Sequence, residues 1–208
     1  MKIDTRFIEA CQAFLKPEQL LCDEPMSKHT TFEIGGPADC LIFPASLAEV
    51  QQVLKLVRTY ELPLTILGNG SNLLVRDKGI RGVVLDFGVT MSSIRCEGTR
   101  IIAGAGALLK DVSECAAANA LTGLEYACGI PGSIGGAIFM NAGAYDGETK
   151  NVADVVRAVT RDGEIRTYQR NELDLGYRHI IFQSTGDAFC EVGLHLKPAD
   201  ELVLGPTF

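Results

Sequence analysis

Two glycine-rich stretches constrain this chain more than any other feature. The first is Gly68-Asn69-Gly70-Ser71-Asn72. The second is Gly129-Ile130-Pro131-Gly132-Ser133-Ile134-Gly135-Gly136, continued by Asn141-Ala142-Gly143-Ala144. Glycine lets a backbone approach a ligand closely and adopt left-handed conformations. Successive N–H groups turned toward one point make a concave anion site without any Lys or Arg. Two such stretches, roughly sixty residues apart, fit one extended ligand with a phosphate-rich middle. The competing reading is a pair of tight turns that bind nothing.

Composition narrows the partners. The chain has 208 residues, 47% of them apolar and 22% charged, with a net charge of −7. That is enough apolar material for a core in one large domain or two small lobes. The acidic balance argues against nucleic acid, whose backbone needs a basic surface, but leaves local binding of a small anion open. The seven cysteines stand at 11, 22, 40, 96, 115, 128 and 190. They include no CxxC pair and no zinc-ligand spacing, so no metal is expected. Several lie in apolar runs, which reads as buried, reduced thiols in a cytoplasmic protein. The charged start, Met1-Lys2-Ile3-Asp4-Thr5-Arg6, lacks the apolar segment of a secretory signal, and no run is long enough to span a membrane.

Hydrophobic spacing predicts a helix over 5–15 and another over about 47–60, the latter opened by a capping box of Ser46 and Glu49. Strands are predicted at 41–43, 64–67 and 82–87, so the first glycine stretch follows a strand directly. In α/β folds the carboxyl ends of strands are favoured ligand positions. Further on, strands are expected at 91–96 and 100–103, a helix over about 107–120, a hairpin of 152–161 and 164–168 around Asp162-Gly163, and a last strand at 189–196. The domain division expected is 1–86 for a first lobe and 87–208 for a second.

Neither glycine stretch matches a standard nucleotide motif. Gly68-Asn69-Gly70-Ser71-Asn72-Leu73 has Leu where the dinucleotide fingerprint requires a third glycine, and Gly104-Ala105-Gly106-Ala107-Leu108-Leu109 fails in the same way. No stretch carries the Gly-Lys-Ser/Thr of a P-loop. A pyrophosphate held between loops of two lobes survives this test.

Four segments then carry a family resemblance. They are His29-Thr30-Thr31-Phe32-Glu33-Ile34-Gly35-Gly36-Pro37-Ala38-Asp39, Leu67-Gly68-Asn69-Gly70-Ser71-Asn72-Leu73-Leu74, the run from Gly123-Leu124-Glu125 through Gly136-Ala137 to Met140-Asn141-Ala142-Gly143-Ala144-Tyr145, and Leu175-Gly176-Tyr177-Arg178. In order and spacing they resemble the UDP-N-acetylenolpyruvoylglucosamine reductase family over about 27–200. The resemblance implies an α+β chain with the two-lobed FAD-binding fold of the vanillyl-alcohol oxidase/p-cresol methylhydroxylase type. It implies non-covalent FAD, NADPH as hydride donor, and a UDP-sugar substrate reduced to UDP-N-acetylmuramate in cytoplasmic peptidoglycan synthesis.

It also implies roles. Gly68, Asn69, Gly70, Ser71 and Asn72 would contact the FAD pyrophosphate, with Ser71 and Asn72 adding side-chain hydrogen bonds. Gly129, Ile130, Pro131, Gly132, Ser133, Gly135 and Gly136 would cover the cofactor from the other lobe, extended by Asn141 and Gly143. Thr30 and Thr31 either touch the flavin or cap a turn. Arg178 would hold the substrate carboxylate and stabilise the negative charge that builds beside it. Here His179 follows, where family members carry a small polar or acidic residue. Tyr177 reads as packing, and His195 as structural. The family continues into a C-terminal domain that supplies a proton-donating serine, a glutamate and much of the UDP-sugar site. Residues 201–208 resemble none of it, so that domain is expected to be absent. Two functional readings follow: a flavin-dependent reductase, or an FAD-binding module with little or no reductase activity. A third is another oxidoreductase on the same fold, disfavoured because no His or Cys is placed for covalent flavin attachment.

Overall fold

The computed structural model describes residues 3–199. The C-terminal stretch expected to lack the serine and glutamate motif falls outside them, as do Met1 and Lys2.

Helix α1 (Thr5–Gln12) buries Phe7 and Cys11, with the Asp4 carboxylate accepting the Arg6 N–H at its start. The first sheet contains β1 (Leu20–Pro25), β2 (Pro37–Ile42), β3 (Leu64–Leu67) and β4 (Ile80–Asp86), in the order β1-β2-β4-β3. β1 runs antiparallel to β2, whereas β2 and β3 both run parallel to β4. Parallel neighbours require a crossover, and α2 (Leu47–Thr59) lies between β2 and β3 in the chain. Its Val50, Val53, Leu54 and Val57 form the buried stripe expected from the spacing, each contributing about 1.5–3 kcal/mol of gross burial.

The capping box at its start is only half formed. Glu49 N–H donates to Ser46 Oγ at 3.2 Å. The Glu49 carboxylate instead accepts from Ala45 N–H and from Gln19 Nε2, both at 2.7 Å. Gln19 is itself buried, and a buried amide without an acceptor would be costly, so it takes the carboxylate.

A second, antiparallel sheet has the order β11-β10-β12-β6-β5. Its strands are β5 (Ile94–Glu97), β6 (Arg100–Gly104), β10 (Ala153–Val159), β11 (Ile165–Gln169) and β12 (Ala188–His195). The expected hairpin is β10–β11. α3 (Leu109–Ala118) and α4 (Ile134–Met140) follow β6, with short β7 (Leu121–Thr122) between them. β7 later pairs with β13 (Lys197–Pro198); β8 (Gly143–Ala144) pairs with β9 (Gly147–Glu148); α5 (Phe182–Thr185) precedes β12. One continuous core runs from Phe7 and Val53 through Ile101 and Leu109 to Phe182 and Val192. α2 also reaches the β10–β11 turn, through Gln51 Nε2 to Gly163 O (2.9 Å) and an Arg58–Asp162 ion pair.

Two expectations are corrected. The cysteines are not uniformly buried: Cys11, Cys40 and Cys190 are, but Cys22 and Cys128 are exposed. Cys22 opens to solvent because β1 is an edge strand. Tyr177 is not a packing residue; it is 87% exposed.

Candidate functional site

The first glycine stretch leaves the carboxyl end of β3. Its shape is fixed by contacts at its back. Gly70 has φ +64°, and a Cβ there would lie 2.1 Å from His29 O. A Cβ on Gly68 would lie 2.4 Å from Ser133 Oγ. Only glycine fits either position without displacing the neighbour. Thr31 N–H donates to Gly70 O (3.2 Å), while the buried Thr30 hydroxyl donates to Ile34 O (3.2 Å), so Thr30 closes a local turn. The backbone N–H groups of residues 68–72 find no backbone carbonyl acceptor among the described residues. Five unpaired donors in succession are the material of an anion cradle.

The second stretch is built differently. Ser133 caps α4, accepting the Gly136 N–H at 3.2 Å. Gly135 and Gly136 therefore stand in the first turn of a helix. Ile134 N–H and Gly135 N–H donate to Ala107 O (2.7 Å) and Ala105 O (2.9 Å), and Leu109 N–H donates to Gly132 O (2.9 Å). This stitches the stretch to the segment linking β6 to α3.

The two stretches meet. Ser71 Oγ donates to Pro131 O at 2.9 Å, across sixty positions of sequence. They border one cleft of about 1620 Å³, larger than the 300–1,000 Å³ typical of drug-sized ligands and so suited to an extended molecule. Of the residues singled out from the sequence, Gly68, Asn69, Gly70, Ser71, Asn72, Ile130, Pro131, Gly132, Ser133, Gly135, Gly136, Asn141, Gly143 and Arg178 line it. Gly129 does not.

Arg178 is exposed, with φ +49° in the turn after Gly176, and makes no side-chain ion pair among the described residues. Its guanidinium carbon lies 6.0 Å from the Tyr177 ring centre. Gln183 Nε2 donates to the Arg178 carbonyl at 3.0 Å, and His179 Nε2 pairs with Asp174 (3.1 Å).

Asn141 holds this turn against α4. It is buried, left-handed at φ +41°, and ends the helix. Its Nδ2 donates to Gly176 O (2.9 Å) and to Glu148 Oε2 (2.8 Å), while its Oδ1 accepts the Lys150 N–H (2.8 Å). Both its amide protons are thus engaged within the protein, while the residue borders the cleft. The Lys150 ammonium and the Asn141 amide together hold the Glu148 carboxyl below its usual range.

Some lining residues carried no sequence signal. Phe139, Phe182 and Phe189 stack in a tilted series, with centroids 5.2 Å apart for Phe182–Phe189 and 6.3 Å for Phe139–Phe189. The buried Asp187 accepts the Tyr168 hydroxyl. The three phenylalanines come from α4, α5 and β12, with Asp187 just before β12, and only the fold brings them together. Asp86, at the end of β4 opposite Leu67, is buried, and desolvation pushes its carboxyl up to about 6. Among the described residues there is no metal-binding cluster of His, Cys, Asp and Glu, and no helix is long and apolar enough to cross a membrane.

Comparisons with known proteins identify the family and the fold. The FAD binding domain family matches residues 38–169. UDP-N-acetylenolpyruvoylglucosamine reductase of Geobacillus thermodenitrificans is 51% identical over 88% of this chain and 60% of its own length. The enzyme of that name from Clostridium perfringens is 46% identical over 93% and 64%. The crystal structure of that reductase from Thermus caldophilus superposes with a TM-score of 0.74 at 33% identity, covering 89% of this chain and 64% of that one. p-Cresol methylhydroxylase superposes with a TM-score of 0.72 at 15% identity, over 95% and 44%, a likeness of fold alone. The fold is thus the two-lobed FAD-binding fold of the vanillyl-alcohol oxidase/p-cresol methylhydroxylase type, and the chain spans about three-fifths of the length of the relatives it matches.

Proposed function

The chain belongs to the FAD binding domain family, and we propose that it holds FAD non-covalently across the cleft and serves the reduction of UDP-N-acetylenolpyruvoylglucosamine to UDP-N-acetylmuramate in the cytoplasm. The observation that carries this reading is the cradle at 68–72, with five unpaired N–H groups beside a cleft of about 1620 Å³. Those N–H groups suit a pyrophosphate. Ile130, Pro131, Gly132, Ser133, Gly135 and Gly136 border the same space, and the half-buried Phe139, backed by the buried Phe189 and Phe182, offers an apolar surface. The chemistry FAD supplies when bound is hydride relay, here from NADPH to the enolpyruvyl group.

Arg178 does the work of the chain at the reacting end. Its unpaired guanidinium grips a carboxylate bidentately and stabilises negative charge developing next to it. Asn141 keeps the Arg178 turn in place through Gly176 O. In a second reading the chain holds the flavin and accepts hydride, while protonation falls to groups outside residues 3–199.

The test is reconstitution with FAD, anaerobic bleaching by NADPH, then addition of the UDP-enolpyruvyl sugar. Reoxidation of the flavin supports the reductase reading; bleaching without reoxidation supports the second. Arg178→Ala is expected to leave FAD binding and bleaching intact and to slow reoxidation by about 10²–10³-fold. Protein that stays colourless through reconstitution would falsify both.

A further inference from the structure

Three cysteines converge at the β1–β2 edge of the first sheet, and none of them lines the cleft. Cys22 of β1 and Cys40 of β2 are directly opposite in the antiparallel register. Opposed residues of such a pair have Cα atoms about 4.5–5.5 Å apart and side chains on one face. A disulfide spans Cα separations of about 4.4–6.8 Å, so the backbone already holds the required spacing. The two thiols face each other closely enough to perturb one another's ionisation, and Cys11 of α1 adjoins Cys40. Their access differs. Cys22 is exposed on the edge strand, whereas Cys40 and Cys11 are fully buried. One thiol is open to a reagent, and its neighbour is open only to that first thiol.

We propose that Cys22 and Cys40 form a thiol–disulfide modification site whose reagent is an oxidised low-molecular-weight thiol. The Cys22 thiolate attacks one sulfur of the reagent's disulfide, making a mixed disulfide and expelling the first reagent thiolate. The Cys40 thiolate then attacks Cys22 Sγ, forming the Cys22–Cys40 bond and expelling the second. The protein dithiol loses two electrons and two protons, and the reagent leaves as two thiols. Desolvation, with the charge of Asp23 beside it, raises the Cys22 thiol above its usual range. Burial raises the Cys40 thiol further still, so little thiolate is present on either residue at neutral pH, and both steps of the exchange are slow. The device is a latch set by sustained oxidation. It closes the segment 23–39, which includes the Thr31 N–H that donates to Gly70 O, and so stiffens the support of the first glycine stretch. The proposal goes beyond the FAD reading and does not depend on it.

The test incubates the reduced full chain with oxidised glutathione at about pH 8.5, where thiolate is more abundant. Free thiols are then alkylated in denaturant, which opens the buried Cys40 and Cys11, and the peptides mapped by mass spectrometry without reduction. The expected product links Cys22 to Cys40, and the oxidised chain melts several degrees higher until dithiothreitol is added. Cys22→Ser leaves Cys40 free to alkylate, and Cys40→Ser arrests Cys22 as its glutathione adduct. The exposed Cys128 is the internal control, becoming a glutathione adduct with no partner. The proposal is overturned if wild-type Cys22 accumulates as a glutathione adduct, links to Cys11, or stays free while Cys128 is modified. The wild-type map decides this even if Cys40→Ser does not fold.

Discussion

The two glycine stretches look alike in sequence and are put together differently. Residues 68–72 keep their N–H groups free of backbone acceptors, with Gly68 and Gly70 pressed against protein atoms at the rear. In the second stretch Gly135 and Gly136 are helical, and their N–H groups go to Ala105 O and Ser133 Oγ. A glycine in the first stretch lets the backbone press against His29 O or Ser133 Oγ while its own N–H stays without a backbone acceptor. Gly135 allows a helix to approach the Ala105 backbone. Glycine content alone does not separate these two uses; the fate of the N–H groups does.

The sharpest way to break the comparison is Gly70→Ala. The new Cβ would meet His29 O in a left-handed conformation, at a cost of about 2–4 kcal/mol. The cradle must shift, so FAD affinity is expected to fall at least about tenfold, a loss of roughly 1.4 kcal/mol. Thermal melting and fluorescence titration with FAD would read the two effects. Unchanged affinity would mean that the first stretch is a turn and not a cradle.

The next effect comes from Asp86, at the base of the first stretch. Its carboxyl is raised from 3.8 to about 6 by burial. A raised carboxyl means that the folded state favours the protonated form. The associated stability is present below the unfolded value of about 4 and is lost as pH rises through about 6. A shift of this size corresponds to about 2–3 kcal/mol. Asp86→Asn is therefore expected to flatten the pH dependence between 4 and 6 and to stabilise the protein at pH 7. Urea unfolding at both ends of that window checks it, and a parallel pH profile in wild type and variant would refute the assignment.

Much of this was legible. Helix α2 announced itself through Val50, Val53, Leu54, Val57 and the Ser46 cap, because local pattern and burial agree there; β3 showed in the short run Leu64-Thr65-Ile66-Leu67, of which only Leu67 is buried. The hairpin turn at Asp162-Gly163 was equally plain. Other features depended on distant partners. Glu49 was drawn from its capping box by Gln19, thirty positions away. Gly135 and Gly136 gave no helical signal because glycine disfavours helices intrinsically; Ser133 and the contact with Ala105 impose the helix. Asn141 looked like a ligand contact, and its three hydrogen-bond partners at 148, 150 and 176 emerge only in the fold.

Gly135→Ala tests the packing side of the comparison. A Cβ would lie 2.7 Å from Ala105 O and 3.0 Å from Ala105 Cβ. The crowding costs about 1–3 kcal/mol, and alanine's better helix propensity offsets about 1 kcal/mol. A net loss of about 1 kcal/mol in melting is expected, with FAD affinity unchanged. Lost affinity without lost stability would mean that the Cβ side of Gly135, and not only its cleft side, serves the cofactor.

Gly129→Ala should do least. The residue is exposed, has no left-handed φ, meets nothing within 4 Å of a built Cβ, and lies off the cleft lining. Stability should stay within about 0.5 kcal/mol of wild type. FAD affinity should not change, since the position lies off the cleft lining. The substitution also limits how far the second stretch serves the cofactor. If titration shows affinity down about tenfold with melting unchanged, the cofactor wall begins at Gly129. If both hold steady, it begins at Ile130, and the glycine before it is only the hinge by which the chain turns in from the Glu125–Ala127 helical turn.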